Sequence, residues 1–131
     1  MTTLYEECIL ALGKASRITG EELDALNYFF EKLPKKSWGR LDWESGDVLF
    51  RGRAHDAKGA VTLSLGENCP CYILWLNSKL DCIKSDTYSL FDAVDDVLAV
   101  DFDTFVILSE GYVLEFWHDG VVTFGRFLVK K

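Results

Sequence analysis

The chain is organised around residues 85–125, which read SDTYSLFDAVDDVLAVDFDTFVILSEGYVLEFWHDGVVTFG. This stretch has no lysine or arginine, and it has nine acidic residues: Asp86, Asp92, Asp95, Asp96, Asp101, Asp103, Glu110, Glu115 and Asp119. The preceding 84 residues are close to neutral, with 12 acidic and 11 basic residues, so the stretch supplies almost all of the net charge of −7. Because it is also rich in apolar residues, we expect it to fold and not to form a solvated acidic tail.

The apolar pattern of this stretch predicts one helix followed by three strands. Ser85 or Asp86 can cap a helix over residues 87–99, whose apolar stripe contains Leu90, Phe91, Val94 and Leu98. Strands are predicted at residues 104–109, 112–118 and 121–127. The dipeptide Asp119-Gly120 between the last two is a typical hairpin turn.

Upstream of this stretch, the apolar residues first recur at helical spacing and then alternate with polar residues at strand spacing. Thr3 and Thr19 each begin a segment with capping-box spacing, which predicts helices over residues 3–16 and from Thr19 to Pro34. Alternation predicts strands over 38–43, 48–53 and 61–65, and the apolar run 72–76 suits a central strand. We therefore expect one globular α+β domain, residues 1–131. It has an N-terminal helix pair, an antiparallel sheet of about six to seven strands, and one helix inserted before the last three strands.

Composition restricts the function classes. No apolar run approaches the ~20 residues that a membrane helix needs. The N-terminus has no basic segment followed by an apolar one, so we expect a cytoplasmic protein with no membrane partner. The excess of acidic over basic residues argues against direct binding of nucleic acid, because phosphate contacts require a surface with Lys and Arg side chains.

Neither a metal site nor a catalytic motif is indicated. The cysteines are Cys8, Cys69, Cys71 and Cys82, of which only Cys69 and Cys71 are close, and a metal site would need a second ligand pair. We expect reduced thiols and no cofactor. There is no Gly-rich phosphate loop, Gly-x-Ser-x-Gly or His-Glu-x-x-His motif, so we expect a protein that is not an enzyme.

The acidic helix is the best candidate for a binding surface. Asp92 and Asp96 are four residues apart, and like charges at this spacing cost about 0.2–0.5 kcal/mol per pair in a helix. Asp95 and Asp96 also lie near the predicted C-terminus, where the helix dipole disfavours anions. The alternative is a solvated polar face whose cations come from elsewhere in the fold, such as Arg51 or Arg53. The predicted partner-binding residues are Asp92, Asp95, Asp96, Asp101, Asp103, Glu110 and Asp119. Strand spacing favours the core for most of the aromatic residues that could anchor an interface, which are Tyr88, Tyr112, Trp117 and Phe124.

Residues 72–125 resemble the immunity proteins of bacterial contact-dependent growth inhibition systems. The similarity lies in the helix sequence LFDAVDD at 90–96, the step DFDTF at 101–105 and the aromatic hairpin that turns at His118-Asp119-Gly120. The resemblance implies a cytoplasmic binding protein that neutralises the toxin domain encoded beside it, and many such toxins are nucleases.

Two hypotheses follow for the function. The first is an immunity protein that blocks a toxin domain with a basic surface, a nuclease, by stoichiometric occlusion. The second is an acidic mimic of nucleic acid that inhibits a DNA-binding protein, which requires carboxylates at phosphate-like spacing along an elongated face. The oligomeric state is open.

Overall fold

The computed structural model describes residues 2–36, 39–77 and 79–127. Within these ranges the helices are α1 (Leu4–Leu12), α2 (Gly20–Lys32), α3 (Ala54–Leu65), α4 (Thr87–Asp92) and α5 (Val94–Leu98). The strands are β1 (Ser16–Arg17), β2 (Asp47–Gly52), β3 (Pro70–Trp75), β4 (Ile83–Asp86), β5 (Thr104–Ile107), β6 (Tyr112–Phe116) and β7 (Val122–Arg126). Single turns of 3-10 helix occur at Trp43–Ser45 and Ser109–Gly111. None of the helices in the described ranges is both long and apolar enough to cross a membrane.

The seven strands of the described residues form one sheet in the order β1-β4-β3-β5-β6-β7-β2. Every neighbouring pair is antiparallel, and β5 and β6 lie near the middle. The predicted α+β class and the antiparallel sheet of six to seven strands are therefore confirmed. The predicted central strand at 72–76 corresponds to β3, which pairs on both sides.

Helices cover both faces of the sheet. The helix-rich face packs against α1, α3, α4 and α5, and alternate strand residues such as Val106, Leu114 and Phe124 point into this core. The opposite face, here called the α2 face, packs against α2 through Phe105, Ile107 and the neighbouring strands. Because successive side chains of a strand point to opposite sides, the nearly continuous apolar runs of β3, β5 and β6 fill both cores.

The N-terminal helix pair is confirmed, with shorter bounds than predicted. Thr3 accepts a hydrogen bond from Glu6 N at 3.1 Å, as the capping-box spacing predicts, and α1 ends at Gly13 with φ of 71°. Thr19 precedes α2 but its side chain makes no capping bond to the described residues. Two residues of β1 lie between the helices and pair with β4, and neither of these strands was predicted.

The predicted strand at 61–65 is wrong, because these residues belong to α3. The buried residues of α3 are Ala57 and Val61, four apart, and Leu65 continues the same stripe. Leu63, which the alternating pattern placed on the buried face, is 89% exposed. Apolar residues at 61 and 65 are compatible with both helical and strand spacing. The helix forms because α3 packs against β2 and β7.

The predicted strand at 38–43 is also wrong over its described part, and Trp38 lies outside the described residues. Leu41 forms only an isolated bridge with Lys35, and Trp43 begins a 3-10 turn. The buried carboxylate of Glu115 accepts hydrogen bonds from Leu41 N and Trp43 Nε1, which holds this segment over the sheet and out of it. This contact joins residues more than 70 positions apart, so alternation along the chain carries no sign of it.

The predicted helix over 87–99 exists as α4 and α5, which meet at Ala93 with φ of −110° and ψ of 20°. The buried residues of both helices, including Leu90, Val94 and Val97, face the sheet. Trp75 Nε1 of β3 donates a hydrogen bond to the Val97 carbonyl at 3.2 Å, which ties α5 to the sheet.

Candidate partner-binding surface

The two short helices present three of the predicted aspartates to solvent. Asp92 ends α4, and Asp95 and Asp96 lie in the first turn of α5, all with exposed side chains. Because the break at Ala93 starts a new helix, Asp95 and Asp96 stand at a helix N-terminus, where anions are favourable. Because α5 has only five residues, Val94–Leu98, both aspartates also lie within one turn of its C-terminus, as predicted.

Two basic side chains of α3 contact the two acidic helices. His55 Nε2 lies 3.5 Å from Asp95 Oδ1, with both side chains largely exposed. Lys58 lies 4.9 Å from the centre of the Tyr88 ring on α4. Arg51, which the sequence offered as a source of neutralising charge, donates instead to Thr123 on the α2 face. The acidic helix surface is thus only partly balanced by its neighbours.

Asp96 also acts on the interior of the protein. Burial and, to a smaller extent, the negative charge of Asp96 together raise the pKa of the Cys8 thiol of α1 to about 11. Burial likewise raises the pKa of the Cys71 thiol, with a smaller contribution from Asp86. These two cysteines are therefore protonated core residues at neutral pH.

Asp101 and Asp103 lie in the loop that joins α5 to β5, and both are half-buried. Asp101 accepts hydrogen bonds from Asn77 Nδ2 at 3.2 Å and from Phe102 N at 2.7 Å. Asp103 Oδ1 lies 2.9 Å from His118 N and 3.0 Å from His118 Nδ1. These carboxylates fix the loop to the end of β3 and to the β6–β7 hairpin.

The hairpin brings Asp119 to the same end of the sheet. Its Oδ1 accepts a hydrogen bond from Val121 N at 2.9 Å, which closes the predicted Asp119-Gly120 turn, and the side chain remains exposed. Glu110 lies at the opposite end, in the turn between β5 and β6, where it has φ of 57°. The four residues of β5 separate Asp103 from Glu110 by about 13 Å at the usual rise per residue. The structure therefore does not bring Glu110 together with the other predicted residues.

A groove of about 520 Å³ opens between residues 98–102 and the hairpin. Phe102 lines it with a ring that is 81% exposed, and Trp117 lines the other side, with its ring 5.1 Å from that of His118. Exposed aromatic rings surrounded by polar groups are typical anchors of protein interfaces. Phe102 was not among the predicted partner-binding residues, although its position between two aspartates in a predicted loop was the available signal.

The four aromatic residues proposed from the sequence have different environments. Phe124 is fully buried and stacks on Tyr112 with ring centres 5.7 Å apart, so both contribute to the core. Trp117 is half-buried at the groove, and Tyr88 is 37% exposed beside Lys58.

Two further acids of the stretch have structural roles. Asp86 caps α4 by accepting from Ser89 N at 2.8 Å. Glu115 is fully buried on the α2 face, where it accepts from Arg40 Nε, Leu41 N and Trp43 Nε1 at 3.2, 2.7 and 3.0 Å. The surface that remains for a partner consists of Asp92, Asp95, Asp96, Phe102 and Asp119, with Asp101 and Asp103 supporting it, and we call it the acidic surface.

In the described ranges, no group of three or more His, Cys, Asp or Glu side chains is arranged to hold a metal ion. Cys69 contacts Thr87 through both its backbone and its sulfur, and Cys71 points into the helix-rich core. The absence of a metal at this pair stays a prediction.

Comparison with known proteins identifies the family. No curated protein matches the sequence. The sequence model of one protein family, described as CdiI immunity protein EcoliA0-like, matches residues 2–125, which is nearly the whole chain. The chain therefore belongs to the CdiI immunity protein family, whose members neutralise the toxins of contact-dependent growth inhibition systems.

Proposed function

We propose that this immunity protein binds a toxin domain with a basic surface, a nuclease, and blocks it stoichiometrically through the acidic surface. The observation that carries the proposal is the exposed Phe102 ring at a groove whose neighbouring helices and hairpin present Asp92, Asp95, Asp96 and Asp119. We place this activity in the cytoplasm, in agreement with the resemblance described above.

Charge supports a nuclease as the target. A nuclease cleft must attract phosphates and is therefore basic. The acidic surface lies in a segment without Lys or Arg, in a chain of net charge −7. Complementary charge accelerates association and discourages wrong partners, while a central aromatic contributes most of the binding free energy.

The local geometry supports occlusion without turnover. The half-buried Asp101 and Asp103 are hydrogen-bonded to Asn77 and His118, so these carboxylates organise the loop and hairpin. The same bonds weigh against a mimic of nucleic acid, which needs a long row of free carboxylates. Glu110 lies at the other end of the sheet, so it does not lengthen the acidic surface into a row of this kind.

The test is a titration of purified toxin domain with this protein. We expect toxin activity to fall linearly and to reach zero near one equivalent, because a blocker acts by mass action. Complete inactivation by about a hundredth of an equivalent, persisting after the protein is removed, would show turnover and contradict occlusion.

The location of the interface is tested separately. Phe102→Ala should weaken toxin binding by about 2 kcal/mol or more, as truncation of a central aromatic does. The matched control is Leu63→Ala, since Leu63 is 89% exposed on α3 and lies outside the acidic surface. Equal affinities of the two variants would place the interface elsewhere while leaving stoichiometric inhibition intact.

A further inference from the structure

The α2 face carries a cavity of about 510 Å³ between residues 36 and 40–44, strand β2 and Val121, which directly precedes β7. Its lining includes Lys36, Arg40, Glu44, Val48, Arg51 and Val121. The cavity lies on the other side of the β6–β7 hairpin from the groove of the acidic surface. It has no part in the proposed toxin interface.

A row of cross-strand neighbours runs beneath this cavity. Phe105 pairs with Glu115, Glu115 with Thr123, and Thr123 with Arg51. Directly paired residues point to the same side of a sheet. Because Phe105 packs under α2, the whole row faces the α2 side, and Glu115 and Thr123 are both fully buried.

Each of these two buried side chains fixes one arginine through its Nε atom. Arg40 Nε donates to Glu115 at 3.2 Å, and Arg51 Nε donates to Thr123 at 3.3 Å. The Arg40 guanidinium also lies 5.3 Å from the centre of the Trp117 ring. Among the described residues, no hydrogen bond reaches the Nη atoms of either arginine. Each guanidinium is therefore bound at Nε and has its Nη pair available for a ligand, and the Arg51 side chain is exposed.

The spacing of the two arginines suits one shared anion. Neighbouring strands lie about 4.8 Å apart, so the anchoring groups Glu115 and Thr123 have about that separation. A phosphate monoester offers three terminal oxygens and up to two negative charges to two forks, whereas a carboxylate offers two oxygens and one charge.

The charges and walls of the cavity favour the same class of ligand. Lys36 is a third basic residue of the lining, which also contains the carboxylate of Glu44. Val48 and Val121 supply apolar walls, and the volume exceeds that of a lone phosphate and falls in the range of small-molecule sites. We infer that this cavity binds a small phosphate monoester, with the phosphate on Arg40 and Arg51 and the organic part against the two valines.

The experiment measures binding of adenosine monophosphate, inorganic phosphate and acetate to the full chain by isothermal titration calorimetry. We expect adenosine monophosphate to bind more tightly than inorganic phosphate, and acetate to bind most weakly. Arg51→Gln should weaken adenosine monophosphate binding at least about tenfold, because it removes one charge-assisted fork. Arg53→Gln is the matched control, since Arg53 is an arginine two positions further on, before α3, outside the cavity lining.

Arg40 is tested with its carboxylate partner removed, because Arg40→Gln alone would leave Glu115 buried without a counter-ion. The variant Arg40→Gln with Glu115→Gln should lose binding relative to Glu115→Gln alone. The inference is overturned if ~1 mM adenosine monophosphate gives no saturable binding. It is equally overturned if Arg51→Gln and Arg53→Gln have the same effect, or if acetate binds as tightly as phosphate.

Discussion

Glu115 belongs to the acidic stretch by sequence and to the core by structure. Burying a carboxylate is unfavourable unless donors replace its water, and Glu115 receives three donors from the segment that precedes β2. One of these donors is the charged Nε of Arg40, whose side chain is 25% exposed. The carboxylate thereby determines the course of residues 40–43 over the sheet.

Glu115→Ala tests this role. It should lower the free energy of unfolding by about 3 kcal/mol, since it leaves Arg40, the Leu41 amide and the Trp43 indole without their acceptor. Urea denaturation measures the change, and Glu67→Ala, at an exposed loop position, is the control with an expected change below about 0.5 kcal/mol. Equal stability of the two variants would mean that Glu115 contributes no net stabilisation.

At the scale of elements, the carboxylate of Asp86 caps the beginning of α4. Burial favours the neutral form of Asp86, but the hydrogen bonds from Ser89 and the charge of Lys14 outweigh it and hold the pKa of Asp86 below its usual value. A carboxyl with a lowered pKa in the folded state contributes stability that is fully present above its unfolded pKa of about 3.9. This contribution is lost as the pH falls through the lower folded pKa.

Asp86→Ala should therefore cost about 1 kcal/mol of unfolding free energy at pH 7. The difference from the wild type should shrink as the pH falls below about 4, because protonation removes the charge of the wild-type cap. Urea denaturation at several pH values measures it, with the exposed Asp92→Ala as control. A cost that stays constant down to the lowest pH at which both proteins fold would contradict the charged cap.

The elements that the sequence predicts well are those whose period is unambiguous. Strands β5 to β7 and the hairpin at Asp119-Gly120 follow from long apolar runs and a specific turn dipeptide. Helix α3 was missed because Gly59 and the β-branched Val61 and Thr62 weaken its helical pattern, and only packing against β2 and β7 decides between the two periods. Strand β1, with two residues, exists only through its pairing with β4.

The candidate site was only partly predictable, because charge along the sequence does not show which acidic side chains lie together. Charge alone indicated the acidic helix, and the structure exposes Asp92, Asp95 and Asp96 there. Charge could not separate these from Asp103, which is bound to His118 fifteen residues away, or from Glu110 at the far end of β5. The groove at Phe102 arises from the meeting of a loop and a hairpin, which no local pattern records.

For the whole molecule, the sheet separates the acidic helices from the cavity that holds the two arginines. The acidic helices lie on the helix-rich face, and the cavity with Arg40 and Arg51 lies on the α2 face. Under the proposed function, a basic toxin is attracted towards the acidic surface and is oriented by it. Such orientation raises the rate of productive encounters, and the effect weakens as salt screens it.

Asp92→Lys with Asp96→Lys should therefore slow association with the toxin by about tenfold at low salt, and the two rates should converge at high salt. Stopped-flow measurement of the on-rate at several ionic strengths gives the comparison. The control pair is Glu21→Lys with Asp24→Lys on α2, which makes the same change in net charge at exposed positions near the other face. If the control pair slows association equally, net charge and not the acidic surface governs the encounter. If neither mutation nor salt alters the on-rate, electrostatic steering has no part in recognition.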